Sequence, residues 1–154
     1  MGIAFARNCG APNLLQTFID TNVFVYAFLK TKRKLQPSEE SIKEAAKAII
    51  ARVSSGEEVL TSVVHFSEVC NILEDFLPIN EAFEIEMNLL LQENILIKEV
   101  TAEDYLKALT MAEDYKVGAN DSLAYVLMKE AKTNKIYSFD KDFDAFKDLT
   151  RVIQ

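Results

Sequence analysis

The chain has 154 residues, 49% hydrophobic and 27% charged, with 17 cationic against 24 acidic side chains and a net charge of −7. That length suits one domain with a sizeable core that needs no staples, and the composition is that of an ordinary globular protein. Its apolar runs are broken by Glu, Asp or Lys, which excludes a bilayer-spanning helix, and Met1 to Gln16 lacks the apolar block of a secretory signal, so a cytoplasmic protein with no membrane partner is expected.

Residues 1–16 mix Gly, Pro and Asn without a period and read as a loosely ordered extension before a single domain over residues 17–154. Thr17 to Ile19 is a predicted strand, and the apolar stretch from Val23 to Leu29 a helix. Four basic residues lie within Lys30–Lys34. Pro37-Ser38-Glu39-Glu40 predicts a helix start with Ser38 as cap and acids in the first turn. Ile42, Ala45, Ala46, Ile49, Ile50 and Val53 then recur at helical spacing, and Ser54-Ser55-Gly56 ends the run. Val59-Leu60-Thr61 is a second strand, with Ser62 as the cap of a helix that Pro78 stops. Asn80 is expected to cap a helix to about Gln92, and Ile95-Leu96-Ile97 is a third strand. Thr101-Ala102-Glu103-Asp104 reads as a capping-box start, with Gly118 as that helix's end. Asn120 or Asp121 opens a further helix, Ile136–Phe139 is a strand running into Asp140, and Arg151-Val152-Ile153 is the last strand. Strands separated by helices throughout predict a three-layer α/β/α domain around a mostly parallel sheet.

Several chemistries lack their residues. Cys9 and Cys70 are too few for a thiolate cluster, and a single histidine, His65, excludes multi-histidine metal sites. There is no Gly-x-Ser-x-Gly elbow and no Gly-x-x-x-x-Gly-Lys loop, and four glycines leave little room for a dinucleotide fingerprint. An enzyme built from this chain must work with carboxylates. Four stand where topology can gather them: Asp20 after the first strand, Glu68 in the helix after the second, Asp121 at a helix start, and Asp140 after a strand, with Asp142 and Asp144 close behind. Strand ends and helix starts share one rim of a parallel sheet. Carboxylates crowded there repel one another unless hard cations such as Mg²⁺ or Mn²⁺ sit between them. Two such ions roughly 3.5–4 Å apart can activate water and stabilise the leaving oxygen of a phosphodiester. Each acid also has a plainer reading, as helix cap, solvated face, dipole partner or turn residue.

The joint pattern resembles the PIN domain family, and especially its VapC-like ribonuclease toxins. The matching pieces are Ile19-Asp20-Thr21-Asn22-Val23, Ser67-Glu68, Gly118-Ala119-Asn120-Asp121-Ser122-Leu123-Ala124 and Ser138-Phe139-Asp140-Lys141-Asp142-Phe143, in family order over residues 17–154. The resemblance implies a Mg²⁺- or Mn²⁺-dependent endoribonuclease that cuts single-stranded RNA, with Asp20, Glu68, Asp121 and Asp140 as catalytic and metal residues. Asn22 would help order the site, and Asp142 would be a supporting acid. It also implies a small antitoxin partner, which would place an Arg or Lys among the carboxylates, and dimerisation, for which Phe76-Leu77 and the apolar helix to Gln92 are available, although core packing explains them as well. Lys32, Arg33 and Lys34 could guide an RNA backbone, or simply solvate a connection near a helix C-terminus. Tyr26, Phe28 and Phe24 read as core. The competing readings are a PIN-fold RNA-binding or protein-interaction module with little catalysis, and, more distantly, an Asp-nucleophile phosphatase, whose Asp-x-Asp pattern Asp20-Thr21-Asn22 does not match.

Overall fold

Short strands with large apolar side chains on both sides are stable only when both faces are covered. In the computed structural model, which describes residues 16–154, five strands form one sheet: β1 (Thr17–Ile19), β2 (Val59–Ser62), β3 (Ile95–Lys98), β4 (Lys135–Tyr137) and β5 (Thr150–Val152). Their order is β3-β2-β1-β4-β5, and all four pairings are parallel. The register aligns Leu96, Leu60, Phe18 and Ile136 across four strands. That row faces α5 (Ala102–Tyr115) and α6 (Ala119–Glu130). The alternate residues Ile19, Val59, Ile95 and Tyr137 face a layer of α1 (Thr21–Phe28), α2 (Pro37–Ser54), α3 (Val63–Phe76) and α4 (Ile79–Leu91). The period-2 geometry of a strand thus makes two cores, and the expected α/β/α architecture is the one observed.

The position of the site follows from this order. The chain winds outward from β1 to β2 and β3 on one side, crosses over, and returns to β4 on the other side of β1. The carboxyl ends of β1 and β4 therefore flank a topological switch point, where helices leave on opposite faces and a crevice opens.

Local chemistry sets the helix boundaries, with three departures from expectation. Ser62 caps α3 as expected, accepting the His65 N–H at 3.3 Å, and Thr101 with Asp104 forms the expected capping box of α5. Gln36, not Ser38, caps α2, because Pro37 takes the first helical position, where its missing N–H costs nothing. Pro78 rather than Asn80 precedes α4 for a related reason: its fixed φ of −54° starts the turn. Lys116 ends α5 in the left-handed conformation, so Gly118 is freed to cap α6 instead. β4 stops at Tyr137, which leaves Ser138 and Phe139 in the loop before Asp140. Phe24 is core and Phe28 half-buried, whereas Tyr26 is exposed and meets the Phe139 ring edge-on at 5.8 Å. The expected extension lies outside the described residues, save Gln16. Among the described residues no helix is long and apolar enough to cross a membrane.

On the α5–α6 face, Ser122 to Met128 are all buried, making α6 the inner helix and α5 the outer. Leu123→Ala is expected to cost about 2–5 kcal/mol in urea unfolding, as in other buried truncations. Leu106→Ala, at an exposed position of α5, should stay within about 0.5 kcal/mol.

Candidate active site

Asp20 leaves the end of β1 and caps α1, its Oδ1 accepting the Thr21 N–H at 2.8 Å. Its Oδ2 accepts the Ser138 hydroxyl at 2.7 Å, a bond that ties the β1 exit to the β4 exit. Only 6% of the residue is exposed. Burial lifts its pKa to about 7, and repulsion from Asp121 and Glu68 adds to the rise, while the bonds from Ser138 and Thr21 oppose it.

Ser138 is the junction of this side of the site. Its oxygen also accepts from Asn22 Nδ2 at 3.1 Å and from the Asp140 N–H at 3.0 Å. Asn22 Oδ1 in turn accepts the Phe139 N–H at 3.2 Å, so this α1 side chain fastens the loop between β4 and Asp140. Asp140 caps the 3-10 turn Lys141–Ala145 through the Asp142 N–H at 2.9 Å. The turn reading of Asp140 and its place on the rim hold together.

Asp121 lies in the first turn of α6, and its carboxylate folds back to accept the Gly118 N–H. A Cβ at Gly118 would stand 2.9 Å from Asp121 Oδ2, too close for any other residue without displacement. Burial raises the Asp121 pKa to about 6, with Asp140, Asp142 and Glu68 adding repulsion. Oxygens of Asp121, Asp140 and Asp142 lie within 4.8 Å of one another. Asp142, expected only as support, is thus part of the tightest acidic group found among the described residues. Asp20 and Glu68 stand outside that trio but within electrostatic reach of Asp121.

Glu68 projects from the second turn of α3. Its Oε2 accepts the Thr21 hydroxyl at 2.9 Å and its Oε1 accepts from Asn120 Nδ2. The sequence gives neither donor a role at the site: Thr21 is there a neighbour of Asp20, and Asn120 a candidate helix start beside Asp121. His65 is a second omission. It is buried, with Nδ1 2.7 Å from the Ser62 hydroxyl and Nε2 3.1 Å from the Asn120 carbonyl. A carbonyl only accepts, so Nε2 carries the proton and Nδ1 accepts from Ser62. Burial holds the His65 pKa below its usual value, consistent with a neutral ring. The one signal in the sequence was its place three residues after a capping serine and three before Glu68.

The basic stretch stands apart from this network. Arg33 grips Glu39 through both terminal nitrogens at 2.9 and 2.5 Å, and it closes the loop that enters α2. Lys32 and Lys34 are exposed and make no ion pair among the described residues.

Five carboxylates at the switch point of a parallel sheet define an α/β protein with an oxygen-only site. Such a donor set fits hard divalent cations such as Mg²⁺ or Mn²⁺ and offers no soft or imidazole ligand. The PIN domain family model matches residues 17–149, and the chain belongs to that family, one of nucleases. The fold is similar to the crystal structure of VapC20 from Mycobacterium tuberculosis, a sarcin-ricin loop cleaving toxin, with a TM-score of 0.68 at 20% identity. That match covers 90% of this chain and 100% of VapC20. No curated protein sequence matches the chain.

A raised carboxyl pKa means that the folded state keeps a proton the unfolded chain has lost. Stability of the metal-free protein should therefore fall as pH rises from about 4 to about 7. The Asp20 shift, from 3.8 to about 7, corresponds to on the order of 4 kcal/mol. Urea unfolding from pH 4 to 8 should show this slope, and Asp20→Asn should flatten it. An equal slope in the variant would assign the effect to other groups.

Proposed function

We propose that this protein is a metal-dependent endoribonuclease that hydrolyses single-stranded RNA, and that it is the toxin of a VapBC-type pair. The observation that carries the reading is the convergence of Asp121, Asp140 and Asp142 within 4.8 Å, beside buried Asp20 and bonded Glu68, in a PIN domain. The likeness to VapC20 supports the toxin role.

Asp20, Glu68, Asp121, Asp140 and Asp142 would hold the Mg²⁺ or Mn²⁺. When bound, such ions polarise water and neutralise charge on a phosphodiester. The protein's own contribution is placement. Asp20 forms the dry end of the cleft, locked by Ser138 and Thr21. Asp142 is exposed and forms the open end, where a backbone phosphate can approach. With a net charge of −7 and several carboxylates facing the substrate, RNA binding depends on cation loading. Lys32 and Lys34 supply free positive charge for backbone steering, whereas Arg33 is engaged with Glu39.

An antitoxin that inserts an Arg or Lys among the carboxylates would neutralise the same charge and block the site. Homodimerisation has a candidate surface on α4, where Ile79, Phe83, Met87 and Leu91 are exposed at four-residue spacing, with Phe76 beside them. Phe83→Glu should convert a dimer to a monomer in light scattering. A wild type that is monomeric at working concentration would dismiss that surface.

The decisive test is cleavage of end-labelled single-stranded RNA with Mn²⁺, with Mg²⁺ and with EDTA. Products should require metal and should fall in Asp20→Asn by more than the roughly 10–100-fold typical of an outer-shell change. Retained activity would remove Asp20 from the mechanism. Metal-independent RNA binding without products would favour a PIN-fold binding module.

A further inference from the structure

The carboxylate of Glu68 is held by a chain of contacts that begins two helices away. Tyr105, on α5, donates its hydroxyl to Asn120 Oδ1 at 2.9 Å. The opposite end of that amide, Nδ2, donates to Glu68 Oε1. The Glu68 carboxylate only accepts, so the NH₂ end of the amide faces it, and the Tyr105 hydroxyl holds the opposite end by donating to Oδ1. The backbone of Asn120 is fixed as well, because its carbonyl accepts from His65 Nε2 at 3.1 Å. His65 itself is seated by Ser62 and by the edge-on ring of Phe18, 5.1 Å between centroids. Thr21 takes the other Glu68 oxygen at 2.9 Å.

We propose that Tyr105 and Asn120 are positioning residues that aim Glu68 at the divalent cation, coupling the α5–α6 pair to the α3 side of the site. The inference rests on the reading of Glu68 as a cation ligand. Each carboxylate oxygen of Glu68 receives one donor from the protein, which fixes the plane of the group and leaves a lone pair on each oxygen. Without the Tyr105 hydroxyl the Asn120 amide loses its anchor on Oδ1, and the Nδ2 donor can swing out of line with Glu68. Asp121 follows Asn120 directly, so the same anchoring sets the start of α6, from which Asp121 projects.

Tyr105→Phe keeps the ring, which packs against the α6 core, and removes only the hydroxyl. Two readouts test the relay. In metal-free protein, the Asn120 side-chain amide should give a distinct ¹⁵N–¹H pair that changes in both Tyr105→Phe and Glu68→Gln. Signals unmoved by either variant would overturn the proposal. For Mn²⁺ affinity by calorimetry, Tyr105→Phe should weaken binding about 10-fold and Asn120→Ala about 10–100-fold. The double variant should bind no worse than Asn120→Ala alone, because the hydroxyl acts only through the amide. Additive losses, or unchanged affinity in Tyr105→Phe, would overturn the proposal. Glu68→Gln with wild-type Mn²⁺ affinity would instead remove Glu68 from the metal set, and the amide signals would still decide whether the relay exists.

Discussion

Crowding acids into one partly dry crevice is the constraint on which the site depends. Asp20, Asp121, Asp140 and Asp142 lie at the same rim, and burial and mutual repulsion raise the pKa of the first two to about 7 and about 6. Arg151 lies within electrostatic reach of Asp140, but its guanidinium is bonded to Asp144, outside the cluster. The arrangement persists because the sheet imposes it. β1 and β4 are adjacent and parallel, so the residues that follow them must meet. The packed row of Leu60, Phe18 and Ile136 holds that pairing in place, each side chain contributing about 1.5–3 kcal/mol on burial.

The polar scaffold converts forced proximity into order. Ser138 bridges Asp20 and the Asp140 backbone, Asn22 fastens the intervening loop, and Thr21 with Asn120 brackets Glu68. These donors share the work of fixing carboxylate planes before any cation arrives. A preorganised oxygen cage suits a small hard ion, because little side-chain freedom remains to be lost on binding. On the proposed function, the same cage would let an acidic protein act on a polyanion, because bound cations would reverse the sign of the field where the substrate must approach.

Much of this was legible in the chain. Strands alternating with helices gave the layer order, Thr101 and Ser62 marked helix starts, and the four acids stood at strand ends and in the first two turns of helices, which one rim shares. The cap positions of α2 and α4 were misread because a proline at or before the first helical turn overrides a nearby Ser or Asn. Gly118 was misread for a subtler reason: its meaning lies in the Asp121 carboxylate folded against it, a contact that appears only once the helix has formed. As a lone histidine His65 only excludes multi-histidine metal sites, and its place in the network comes from two partners, one three residues before it and one 55 residues after it.

By itself the sequence determined the period-2 and helical patterns, the want of residues for a thiolate cluster or a multi-histidine metal site, and the supply of acids. These depend on residue type and short spacing, which local sterics and hydrophobicity read directly. Only the tertiary structure decided which acids meet. Asp142 joined Asp121 and Asp140, while Glu68 was turned by Asn120 and Tyr105. Those outcomes depend on distances across the switch point between elements far apart in the chain. Such distances are set by strand register and helix packing, and no local preference of the residues involved encodes them.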